Sequence, residues 1–313
     1  MHILPLSNLV KGVCRKVDNR IRTDLALEAK ETFDADNVEV QGVKIEENYD
    51  KENDIHVTKV VIETRDGARI MGKPIGTYLT LEAPDMVIPE KGYHREISKV
   101  VCKYLKALLG EVKDCSILVA GLGNREVTPD SLGPLVVSNL LITRHVIKEY
   151  GAYGMGEDNV NSVSSIVPGV MAQTGMETAE ILKAVVKETS PDVLIVIDAL
   201  AARSVKRLNK TIQITDTGIH PGSGVGNHRN AINKASMGIP VIAIGVPTVV
   251  DAGVIVRDAI ENLAVYGQGK VDISSSLNSM FVTPKDIDET VKRISFTISE
   301  ALNMAFSSHL DEA

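Results

Sequence analysis

Tryptophan is absent from the 313 residues, and four Phe with seven Tyr bring the aromatic share to only 4%. Proteins that grip single-stranded nucleic acid stack bases on aromatic side chains, so little is available for such a platform. An excess of positive charge is missing too: 34 Lys+Arg face 41 Asp+Glu, a formal net charge of -7. A direct nucleic-acid binder is therefore not expected. The three cysteines, Cys14, Cys102 and Cys115, lie far apart without C-x-x-C spacing, so neither a disulfide framework nor a zinc knuckle is suggested. No H-E-x-x-H occurs, so the chain is not a zincin. Long apolar runs are lacking as well. The stretches Val193 to Ala202 and Ile239 to Val250 fall short of the ~20 residues of a membrane span, and Pro5, Ser7 and Asn8 interrupt the start with no basic residue before them. An intracellular protein without membrane contact is expected.

What is present is a chain 44% apolar and 24% charged, enough for one large α/β domain or two small ones. Charge is uneven at the start. Residues 1–24 hold five basic and two acidic side chains, net +3, and Asp24 to Asp54 carries eleven acids and three lysines. A change of sign of this kind marks either an arm that docks on the acidic body or a solvated terminal helix. Beyond it, Ile55 to Ile62 alternates like a strand, Asp66-Gly67 reads as a tight turn, and Gly72 to Leu81 reads as a further strand, giving a small antiparallel sheet around residues 54–82. From there helix and strand alternate. Helices fit Glu96 to Leu109, Ser131 to Tyr150, Glu177 to Glu188 and Pro284 to Phe306; strands fit Ser116 to Ala120, Asn161 to Val167, Val193 to Ile197, Thr211 to Ile214 and Val241 to Ile244. That rhythm predicts an α/β fold with a mostly parallel sheet and helices on both faces.

Ligand crevices of such sheets lie beyond the carboxyl ends of the parallel strands. One strand runs into Gly121-Leu122-Gly123-Asn124, with Asp130 near the start of the next helix. Another ends in Asp198 after five apolar residues. If these strands are near neighbours, the two carboxylates share one edge of the sheet. Taken singly, Asp130 is more readily an N-cap and Asp198 a strand-end residue bonded to a loop amide. Gly121-x-Gly123 lacks the third glycine of a dinucleotide fingerprint and the lysine of a P-loop. The loop from Thr217 to Arg229 holds four glycines with His220 and His228, which suits either a surface loop or a close approach of backbone to a ligand. Thr174 and Glu177 have the spacing of a capping box.

Several segments, in order, resemble the spore germination protease family: Arg22 to Glu28, Gly72 to Tyr78, Gly121 to Asn124 with Thr128 to Pro134, Asp198 to Ala201, Pro221 to Asn227, and Gly245 to Asp251. More distantly, a glycine-rich strand end followed by one acid, with a second strand ending in Asp-Ala, is similar to the hydrogenase maturation peptidases. The resemblance implies an endopeptidase of endospore formers. It would be made as a zymogen, act as a homotetramer in the forespore and spore core, and degrade the small acid-soluble proteins that coat spore DNA. It further implies cleavage after an acid, before a bulky apolar residue and Ala. By that rule residues 1–24 form a propeptide, 25–313 a single catalytic domain, and Asp24-Leu25 the autoprocessing bond. The family also favours an acid three residues before the cleaved one, where this chain has Ile21.

Asp130 and Asp198 are the catalytic pair that the resemblance implies. Two carboxylates facing one crevice do not both ionise easily, so one holds a proton while the other activates water. Gly121, Gly123, Asn124, His220, Gly222, Gly224 and Asn227 are expected in the active-site or substrate loops, and no metal or other cofactor is called for. The competing readings are a metallopeptidase of the hydrogenase-maturation type, with His220 or His228 as third ligand, and a non-catalytic anion-binding module.

Overall fold

The computed structural model describes residues 25–28, 41–88, 93–110, 113–151, 161–222, 229–263, 277 and 280–307. Strands β1 (Val43–Asp50), β2 (Ile55–Ile62) and β3 (Gly76–Glu82) form an antiparallel meander. Helix α1 (Arg65–Met71) connects the last two. Then follow α2 (Tyr93–Leu109), β4 (Ser116–Gly121), α3 (Leu132–Ser138), α4 (Arg144–Tyr150), β5 (Ser162–Ile166), α5 (Met171–Thr174) and α6 (Thr178–Thr189). The rest comprises β6 (Val193–Ala202), β7 (Thr211–Thr215), α7 (Lys234–Met237), β8 (Val241–Asp251), α8 (Ala252–Leu263), β9 (Phe281–Val282) and α9 (Ile287–Phe306).

The nine strands of the described residues share one sheet, in the order β1-β2-β3-β7-β8-β6-β4-β5, with β9 beside β8. The strands β8, β6, β4 and β5 run parallel. The meander joins them through β7, antiparallel to both β3 and β8. The expected α/β architecture is therefore present, and its antiparallel strands extend the main sheet.

Period-two alternation sends successive side chains to opposite faces. Ile117 and Val119 of β4, with Val193, Ile195 and Ile197 of β6, pack against Ile97, Val101 and Leu105 of α2 and Val291, Ile294 and Ile298 of α9. Leu118 and Ala120, with Leu194 and Val196, meet Leu182 and Val186 of α6 and Met237 of α7 on the other face. Asp198 continues the parity of Leu194 and Val196.

Three local expectations are corrected. Asp66-Gly67 is no hairpin turn: the Thr64 hydroxyl accepts from Gly67 N (3.0 Å) and starts α1, which Gly72 ends at φ 62. The helix expected over Ser131 to Tyr150 is split into α3 and α4; between them Leu141 N donates to Asn303 Oδ1 (2.9 Å) of α9, and Thr143 bonds β5, its N–H donating to Val163 O (3.1 Å) and its hydroxyl accepting from Val163 N (2.9 Å). The helix after Gly175 starts at Glu177, whose N–H donates to the Glu180 carboxylate (3.1 Å), while Thr174 instead accepts from Met176 N (3.2 Å).

Candidate active site

Past the carboxyl end of β4 and along the last residues of β6 lies a cleft of about 500 Å³ whose lining includes both Asp130 and Asp198. Two parallel neighbours bring them there. Ala120 and Gly121 of β4 pair with Val196 and Ile197 of β6, and Leu122 N donates to Ile197 O (2.8 Å) where β4 ends. The strand β6 runs on past the expected end at Ile197, so Asp198 sits within it, opposite Gly245, and is only 6% exposed. Its carboxylate accepts from Ala199 N (3.0 Å).

Asp130 closes a short 3-10 turn, Thr128–Asp130, rather than capping α3. Its Oδ2 accepts from Asn124 N (2.8 Å), so the loop after β4 folds back onto it. The close return depends on Gly123, at φ 105, where an added Cβ would lie 2.0 Å from Asp130 O. Burial pushes the Asp130 carboxyl above the usual carboxylate range, although the Asn124 N–H and the Arg229 guanidinium both favour its ionised form.

A bulge in β8 fixes the turn from the opposite side. Leu200 pairs with Pro247 and Ala201 with Val249, which leaves Thr248 as the extra residue. Its buried hydroxyl donates to Pro129 O (2.7 Å), directly before Asp130, and Thr248 O accepts from the Thr283 hydroxyl (2.8 Å). The Asn124 side chain adds a further tie, Oδ1 accepting from Glu126 N (3.0 Å) and Gln173 Nε2 (3.1 Å).

The other expected site residues fall as follows. Gly121 is buried at the end of β4, and Gly123 and Gly222 line the cleft beside the two acids. His220 is exposed and lines a separate pocket of about 80 Å³ with Lys73, Tyr78 and Gln213. Asp24, Gly224, Asn227 and His228 lie outside the described residues. Among the described residues, no three His, Cys, Asp or Glu side chains gather as a metal set, and no helix is long and apolar enough to cross a membrane. Arg229, Thr248 and Gln173 were absent from the expected set. Thr248 had one visible signal, a hydroxyl within an apolar strand run.

The family model for germination protease matches residues 21–275. The chain belongs to the germination protease family. Its relatives include the germination protease of Caldanaerobacter subterraneus subsp. tengcongensis, 45% identical over 93% of this chain and 96% of that protein. That of Clostridium perfringens is 41% identical with the same coverage, and that of Bacillus subtilis is 47% identical over 77% of this chain and 66% of its own length. Among solved structures, the [NiFe] hydrogenase maturation protease HycI of Thermococcus kodakarensis is similar at a TM-score of 0.33 and 17% identity, covering 64% of this chain and 98% of its own.

In this germination protease family member, Leu25 is fully buried and Ala26 N donates to Gln213 Oε1 (2.7 Å). The Glu28 carboxylate, 2% exposed, accepts from Arg203 N (2.8 Å) and Ser204 N (3.1 Å) just past β6, and faces Arg207 Nη1 at 3.5 Å. Arg207 also pairs with Glu82 (3.0 Å). Removing the Glu28 carboxylate strands two N–H groups and loosens this docking. Glu28→Ala is expected to cost about 3 kcal/mol, readable as a lower urea midpoint. An unchanged midpoint would show that the segment contributes no stability.

Proposed function

We propose that the chain is an endopeptidase in which Asp130 and Asp198 act as a proton-sharing pair, made as a zymogen that cuts itself between Asp24 and Leu25. The single observation that carries this reading is the placement of both carboxylates on one cleft large enough for several side chains. Asp130, pushed toward its protonated form by burial, holds the proton. Asp198 takes a proton from water as the oxygen attacks the peptide carbonyl, and Asp130 then protonates the leaving amine. The Asn124 N–H and the Thr248 hydroxyl fix where Asp130 stands, so the pair is oriented before substrate arrives.

The substrates in this reading are small acid-soluble spore proteins, cut after an acid that precedes a bulky apolar residue and Ala. The enzyme would work as a homotetramer in the forespore and spore core. The burial of Leu25 adds a requirement to self-cleavage: the bond after Asp24 reaches a dyad only once Leu25 to Glu28 has left its packed position. A basic segment of net +3 would leave with the cut, taking the chain from -7 to -10.

The test is incubation of the purified chain with a spore DNA-coating protein, with and without a chelator, followed by identification of every cut. Cuts after acids that precede an apolar residue and Ala, retained under chelation, are expected. Loss on chelation with recovery by one divalent ion would replace the proton-sharing pair by metal-assisted hydrolysis. N-terminal sequencing of the enzyme should find a new chain beginning at Leu25, formed faster at mildly acid pH, where an acidic cleavage residue meets less like-charge repulsion. A new terminus elsewhere, or none, removes the zymogen claim.

A further inference from the structure

The cleft has one charged feature that the reaction itself does not use. Among its described lining residues Arg229 is the only cation, and it forms no ion pair within 4.0 Å with any described carboxylate. The residue as a whole is half-buried. It also lies near enough to Asp130 to favour that group's anion. The same cleft also has apolar lining residues. Val127 and Phe281 stand uncovered, 47% and 39% exposed, with Val249 and Leu200 beside them.

We propose that Arg229 is the specificity-determining residue of this cleft, pairing with the carboxylate of an acidic side chain in the bound peptide while Val127 and Phe281 take an apolar neighbour. A planar guanidinium suits bidentate recognition of a carboxylate, and a neutral amide isostere offers it neither the second acceptor oxygen nor the opposite charge. The proposal rests on the proteolytic reading above and assigns its preference to one residue. Pairing with substrate would also draw Arg229 away from Asp130, leaving that carboxyl more readily protonated when peptide is bound.

The test uses two peptides identical except for Glu-Ile-Ala or Gln-Ile-Ala at the centre. The full chain should prefer the Glu peptide in kcat/KM by about 10- to 100-fold, the range of a charge-assisted hydrogen bond. Arg229→Gln should bring the ratio near one, Arg229→Lys should restore part of it, and Arg229→Glu should favour a Lys-Ile-Ala peptide. In parallel, binding of the Glu and Gln peptides is measured on Asp198→Asn chains carrying Arg or Gln at position 229. Binding selectivity that depends on Arg229 supports the assignment even if no peptide is cut, in which case only the hydrolytic reading falls. A Glu/Gln ratio unchanged in Arg229→Gln overturns it. So does an equal loss on both peptides with a shifted pH profile, which would confine Arg229 to acting through Asp130.

Discussion

Asp198→Asn and Asp130→Asn should each lower kcat by about 100-fold or more, the usual contribution of a positioned acid or base, while the chain stays folded. The amide keeps the shape of the carboxylate, and Asn at 130 can still accept from Asn124 N through its carbonyl oxygen. It can neither take a proton from water nor supply one to the leaving amine. Near-native rates for either variant would remove the pair from the mechanism. Stability gives an independent check on Asp130. Its carboxyl is raised by burial, so its favourable contribution is complete below the ordinary carboxylate value of about 3.9 and is lost as pH rises through the folded-state value. The asparagine variant cannot ionise. Its melting temperature relative to the parent should therefore climb from acid to neutral pH, and a difference that falls over that range would contradict the burial argument.

Gly133→Ala should be strongly destabilising. An added Cβ would lie 2.4 Å from Leu122 O, 2.5 Å from Leu122 N and 2.6 Å from Ile197 O. All three are backbone atoms of the β4 exit and of β6, so no side chain can rotate out of the way. Overpacking commonly costs about 1–3 kcal/mol, and contact with fixed backbone on two strands places this substitution at or above the top of that range. Displacing α3 would also pull on the Thr128–Asp130 turn directly before it, so activity should fall even in the fraction that folds. Equilibrium unfolding in urea with a parallel peptide assay reads both effects. A variant of parental stability would mean that α3 can slide along the sheet at little cost.

Much of the frame was legible in local patterns. Five apolar residues before Asp198 marked a buried strand, the alternation of strands with amphipathic helices marked a covered sheet, and the glycines after Ala120 marked a sharp exit from a strand. The errors came where two local signals competed. Asp66-Gly67 suits a hairpin turn as well as a helix start, and the Thr64 cap decided it. The helical pattern held no Gly or Pro between Ser138 and Arg144, and the break there is held by bonds of Leu141 to Asn303 and of Thr143 to β5.

The sequence by itself determined the alternation of elements and the family to which the chain belongs, because each is written in neighbouring residues through side-chain period or motif. The tertiary structure alone decided what stands next to what. Asp130 and Asp198 share a cleft because β4 and β6 are parallel neighbours, a pairing between segments about 75 residues apart that follows from burial of both faces and from register. The bulge that turns Thr248 toward Pro129, the placing of Arg229 on the cleft and the bond from Ala26 N to Gln213 have the same origin. Each is a contact between distant parts of the chain, whose geometry is set by how whole faces pack.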